Sequence, residues 1–167
     1  SRRMNPKALL LPILLAVLHI GTPHGSAATF PVTVTNDAGA GSLRQAIVDA
    51  NTSAGADLIT FNIVSGGLTI FPASALPVVS ESVTIDATTQ PGFAGSPLIE
   101  LAGASAGAAA NGLHISAGGS TVRGLAINRF TASGIRLSTN GNNIVEGCFI
   151  GTGIGGTNDR GNTADGI

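Results

Sequence analysis

The chain has no tryptophan, no tyrosine and one cysteine, and its single lysine, Lys7, lies in the first ten residues. Six phenylalanines are the whole aromatic content, so a sugar-stacking platform of the usual kind is missing. One cysteine, Cys148, permits no internal disulfide, which leaves packing and hydrogen bonds to hold an exported chain together. Beyond residue 28, five arginines face nine acidic residues, a net charge of −4. That balance argues against nucleic acid, which wants a basic face, and against an anionic membrane surface. No apolar run reaches the roughly 20 residues that a bilayer-spanning helix needs.

The longest apolar run, Ala8 to Ile20, follows a basic start of Arg2, Arg3 and Lys7 and precedes the small residues Ser26-Ala27-Ala28. This is the layout of a secretory signal peptide over residues 1–28. An uncleaved anchor is the alternative, against which the short run speaks. No cysteine follows the run to take a lipid. His19 and His24 belong to this segment and carry no catalytic weight. The remainder, Thr29 to Ile167, is enough for one domain. Residues ahead of Met4 and a strand-like "DGI" at Asp165 read as parts of a longer coding sequence.

Repetition dominates the rest. "STVRGLAINRF" from Ser120 and "NNIVEGCFIGT" from Asn142 align with a shift of 23, pairing Val122 with Val145, Leu125 with Cys148 and Ile127 with Ile150. "NGLHIS" from Asn111 and "SGIRLS" from Ser133 align with a shift of 22, and "DGI" reads as a third copy delayed by "TGIGGTNDRGNTA". Apolar residues alternate with polar or small ones, the period of a strand, and Gly and Asn separate the phrases as turns require. A repeat near 22 residues indicates a solenoid, in which each unit buries its apolar face on its neighbour. The Leu-spaced consensus of a leucine-rich repeat is missing, so the spacing predicts a parallel β-helix with coils about 4.8 Å apart. "LITFNI", "GLTIF", "SVTIDA" and "PLIELAG" are earlier strand candidates at irregular intervals, and "GASAGAAANG" reads as a loop.

One segment departs from this pattern. In "GSLRQAIVDANTSAG", Leu43, Ala46, Ile47 and Ala50 fall on one helical face. Ser42 with Gln45 three residues on predicts a capping box, and Gly55 an end. A short helix ahead of the first coil would plug an open end that otherwise exposes unpaired backbone. The expected organisation is a capping region over about 29–56 and coils from about 57.

The stretch "VTVTNDAGAGSLRQAIVDANTSAGADLITFNI" resembles the start of bacterial extracellular proteins named for a Cys-Ser-Leu-Arg-Glu-Ala (CSLREA) motif. Ser42, Leu43, Arg44, Ala46 and Ile47 match; Gly41 stands in place of Cys and Gln45 in place of Glu. "VTIDATTQPG" and "IGTGIGGTNDRGNTADGI" resemble further phrases of such proteins. The resemblance implies export and an all-β, right-handed parallel β-helix of the pectin-lyase-like type, a fold that hosts lyases, hydrolases, adhesins and passengers alike.

Enzymes of that type use clustered acidic residues, to hold Ca²⁺ or to act as acid and base. Here they are scattered: Asp86 and Glu100 stand 14 apart and read as strand-end or turn carboxylates, and Glu146 has no acidic neighbour within ten positions. Asp159 and Asp165, with Asn158 and Asn162, lie in a Gly-rich loop with oxygen ligands for Ca²⁺, but the spacing matches neither an EF-hand nor a nonapeptide repeat, and Asx turns account for it. His114 is expected to point outward with no nucleophile beside it, and Cys148 to be a small buried hydrophobe. No catalytic residue, cofactor or metal site is therefore assigned. The expectation is a secreted or cell-surface scaffold, an adhesion or interaction module for a polysaccharide or another surface protein. The alternatives are a lyase or hydrolase with its catalytic coils beyond Ile167, or a passenger segment of an autotransported or wall-anchored protein.

Overall fold

A computed structural model describes residues 25–167. The basic start, the apolar run, His19 and His24 lie outside the described residues. The described chain is mostly parallel β-sheet with one α-helix. Its strands are β1 (Thr29–Val32), β2 (Asp57–Phe61), β3 (Thr69–Ile70), β4 (Val83–Asp86), β5 (Ile99–Ala102), β6 (Leu113–Ile115), β7 (Thr121–Arg123), β8 (Leu125–Asn128), β9 (Ile135–Leu137), β10 (Ile144–Glu146) and β11 (Phe149–Ile150), with α1 (Leu43–Thr52) between β1 and β2.

Three sheets result. The first runs β1-β2-β4-β7-β10, the second β11-β8-β5-β3, and the third pairs β6 with β9. From β4 onward the chain visits first, second and third sheet in turn, twice over, then returns to the first and second through β10 and β11. The preceding passage follows the same path, because Val79 bridges in parallel to Ile115 of β6. Every strand pair is parallel. The aligned phrases stack as their spacing predicts: Val122 pairs with Val145, Ile127 with Ile150, Leu113 with Ile135 and Ile115 with Leu137. "DGI" lies beside the start of β9, where the Gly134 and Ile135 amides donate to the Asp165 and Gly166 carbonyls at 3.1 and 2.9 Å.

Alternation explains the interior. Ile59, Ile85 and Val122 form one inward row of the first sheet, and Ile70, Leu101 and Ile127 one of the second, all at most 1% exposed. The corner between these sheets falls at Gly124, and one repeat later at Gly147. Both have φ in the left-handed region, +73° and +58°, which a residue without Cβ adopts at low cost.

Helix α1 packs against β1 and β2. Leu43, Ala46, Ile47 and Ala50 are buried, the face that the spacing predicts. Ser42 is the N-cap and its Oγ accepts from the Gln45 amide at 3.2 Å. The capping box is only half formed, because the Gln45 amide group turns to Asp49 (2.8 Å) while the Ser42 N–H finds the Gly39 carbonyl. The helix ends at Ser53 rather than through Gly55. Ahead of the helix, β1 pairs in parallel with β2. Pro31, which speaks against an interior strand, is tolerated there because β1 is an edge.

Candidate functional site

The broadest patterned surface is the outer face of the first sheet. Two rows cross its five strands: Thr29, Leu58, Thr84, Thr121 and Ile144, and beside them Pro31, Thr60, Asp86, Arg123 and Glu146. These residues are exposed or half-buried, while the alternate positions between them face the core. Four strand spacings make the face about 19 Å long. Its centre carries charge: Arg123 Nη1 lies 3.7 Å from Glu146, the stacked pair that the repeat predicts, and Arg123 Nε lies 3.4 Å from Asp86. The second contact escapes the repeat because β4 and β7 are not in the 22–23 period. The Asp86 carboxylate is tied locally as well, accepting from the Thr88 amide (3.0 Å) and hydroxyl (2.6 Å). It is a strand-end carboxylate, as its sequence position suggests.

Glu100 is not. It sits within β5 and is 6% exposed. Its Oε1 accepts from Asn128 Nδ2 at 2.8 Å and from the Arg160 guanidinium, and its Oε2 from the Thr69 hydroxyl at 3.2 Å. Burial alone would raise its pKa. The hydrogen bonds from Asn128 and Arg160, with the Arg160 charge, outweigh burial and hold it below the ordinary 4.5. Arg160 arrives on the loop after β11, where Thr152 bridges to Asp159 and the Arg160 N–H donates to the Gly151 carbonyl at 2.9 Å. The second nitrogen contact of Asn128, to the Thr152 carbonyl at 2.9 Å, ties the same loop to β8. A carboxylate fixed on all sides by donors is a clamp for the loop. It is poorly suited to exchanging protons with a substrate.

The other singled-out residues are dispersed. His114 stacks on Arg136 and its Nε2 lies 2.9 Å from the Ser138 hydroxyl. It is half-buried rather than exposed, and burial, then the Arg136 charge, lowers its pKa. Cys148 packs against the core, where burial raises the pKa of its thiol. Asp159 accepts from the Gly161 amide at 3.0 Å, an Asx turn, and Asp165 takes part through its main-chain carbonyl. Among the described residues no three His, Cys, Asp or Glu side chains gather as a metal group. No described helix is long and apolar enough to cross a membrane.

Side-chain amides carry a structural task that the sequence reading missed. Gln90 brackets Ile63, accepting its N–H at 2.9 Å and donating to its carbonyl at 3.0 Å. Asn111, Asn143 and Asn162 each accept a backbone N–H from the adjoining turn of chain. Their recurrence in the inter-strand phrases was the available signal. Comparison with protein-family models, with curated proteins and with solved structures finds no match to this chain.

Proposed function

We propose that this protein is a secreted bacterial right-handed parallel β-helix that acts as an extracellular or cell-surface scaffold and presents the outer face of its first sheet to an elongated partner. One observation carries the reading: the register aligns two rows of outward side chains across all five strands of that sheet. The cyclic visiting of three sheets favours a coil, and parallel crossovers are right-handed in nearly all proteins. A long, nearly flat and repetitive surface suits a partner that is itself extended, a polysaccharide or a surface protein. Ser42, which caps α1, and Arg44, which donates to the Ser74 and Ala75 carbonyls, are among the residues that carry the resemblance to CSLREA-type proteins. The test is binding of the secreted protein to immobilised plant and bacterial polysaccharides and to intact cells. Thr84→Arg/Thr121→Arg, at half-buried positions of the outward row, should reduce that binding at least tenfold with the fold intact. Equal binding by the variant would remove the flank from the function, and release of unsaturated uronate or new reducing ends would assign an enzyme instead.

A further inference from the structure

The entry of the chain into β1 contains a charge without a counter-charge. Asp57, at the start of β2, is 1% exposed and takes part in none of the ion pairs among the described residues. Its Oδ1 accepts from the Ala28 N–H at 2.8 Å and from the Ser53 hydroxyl at 3.2 Å. Its Oδ2 is buried with no hydrogen-bond partner. A buried carboxylate normally satisfies both oxygens or pairs with a cation. The group nearest to supplying one is the nitrogen already in contact, that of Ala28.

We infer that proteolytic processing cuts the Ala27–Ala28 bond and that the new α-ammonium of Ala28 forms a buried ion pair with Asp57. The inference rests on the reading of residues 1–27 as a removable export leader, and it moves the cut one residue ahead of the Ala28–Thr29 boundary expected from sequence. In the reaction a peptidase directs water onto the Ala27 carbonyl carbon, and the C–N bond breaks. The water oxygen stays with Ala27 as a carboxylate, and the Ala28 nitrogen leaves with the protons as an ammonium. One amide hydrogen on that nitrogen becomes three, enough to serve both Asp57 oxygens.

Geometry selects this bond over its neighbour. Ala28 is held in the sheet because its carbonyl accepts from the Leu58 N–H at 2.8 Å. A cut after Ala28 would delete that acceptor together with the donor to Asp57. A cut before Ala28 keeps both. Ser26 and Ala27 are exposed, and the small residues Gly25 and Ala27 occupy the positions three and one before the cut that export peptidases require. Processing would thereby stabilise the mature sheet edge, and the precursor would lack that ion pair.

The chain offers an unusually direct test, because its only lysine, Lys7, leaves with the leader. Within residues 28–167 the α-amine is then the sole amine. The full-length precursor is expressed for export, and the secreted product is analysed by intact mass and by amine acylation across pH. The expected result is a first residue of Ala28, acylation at least tenfold slower in folded than in denatured protein, and an apparent amine pKa about one unit or more above the ordinary 7.7–8.0. Asp57→Asn should speed acylation back toward the denatured rate. Should that variant fail to fold, the pH profile of the unsubstituted protein decides alone. An Ala28 start with an unprotected amine of ordinary pKa overturns the ion pair. A Thr29 start overturns the cleavage bond while leaving the leader intact, and a retained Met4 overturns leader and inference together.

Discussion

At the scale of the residue, the Glu100 clamp and the Arg123 stack behave differently when perturbed. Glu100 is buried, so removing its cation leaves an uncompensated carboxylate. Arg160→Ala should cost about 1–3 kcal/mol in urea unfolding and release the loop that follows β11. The same clamp makes stability depend on pH. The pKa of Glu100 is depressed in the fold, as is that of Asp37, where the hydrogen bond from Arg44 is the main cause. A depressed carboxylate contributes stability above its unfolded pKa, and that contribution disappears as the pH falls through its folded value. His114, whose pKa is lowered from the ordinary 6.5 by burial, resists protonation in the fold. Unfolding midpoints should therefore ease downward as the pH falls below that value and decline further below about 4 as the carboxylates protonate, the second decline less steep in Arg160→Ala. Arg123 is more exposed, and its two contacts are worth at most about 1 kcal/mol. Read from the repeat alone, exchanging Arg123 and Glu146 is neutral. With Asp86 stacked on the other side, the exchange places two carboxylates together, so the double variant should lose up to about 1 kcal/mol, and Asp86→Asn should restore it.

Elements explain how the stack ends. Leu43 is fully buried at the N-terminal end, and α1 also satisfies backbone that no strand covers. Arg44 donates to the carbonyls of Ser74 and Ala75 at 2.8 and 2.7 Å, while Asp37 accepts from the Ala73 N–H at 3.0 Å. Asn51 mimics a neighbouring strand, donating to the Val78 carbonyl at 2.7 Å and accepting from the Ser80 N–H at 2.9 Å. This is how an edge is kept from recruiting another chain. Leu43→Ala should destabilise by about 2–5 kcal/mol. Asn51→Leu should speed hydrogen exchange at the Ser80 amide by about tenfold while sparing the Ile85 amide, as a local opening requires. The helix was legible because its signal is contained within about ten residues, in the spacing of Leu43, Ala46, Ile47 and Ala50. Strand β1 was not, since its pairing with β2 spans the whole helix and Pro31 masks its pattern. The roles of Arg44 and Asn51 were hidden for the same reason: their partners lie 27–31 residues away.

For the whole molecule, the period near 22 residues made β6 to β11 and their register readable, because stacked positions carry like side chains in like order. The Glu100 clamp was invisible, its partners standing 28 and 60 residues off in segments that do not repeat. The inward rows are the common support of every other feature, and Ile127→Asp, a charge in a fully buried row, should abolish cooperative folding. The stacking itself is tested most directly by cross-linking in a Cys148→Ser background. Thr121 and Ile144 are partners on adjacent strands, where Cα atoms about 4.8 Å apart fall within disulfide range. Thr121→Cys/Ile144→Cys should oxidise quantitatively to an intramolecular disulfide in the folded protein, whereas Thr121→Cys/Val145→Cys, with side chains on opposite faces, should stay reduced. A disulfide in the second pair and none in the first would contradict the register, and with it the aligned flank on which the proposed function rests.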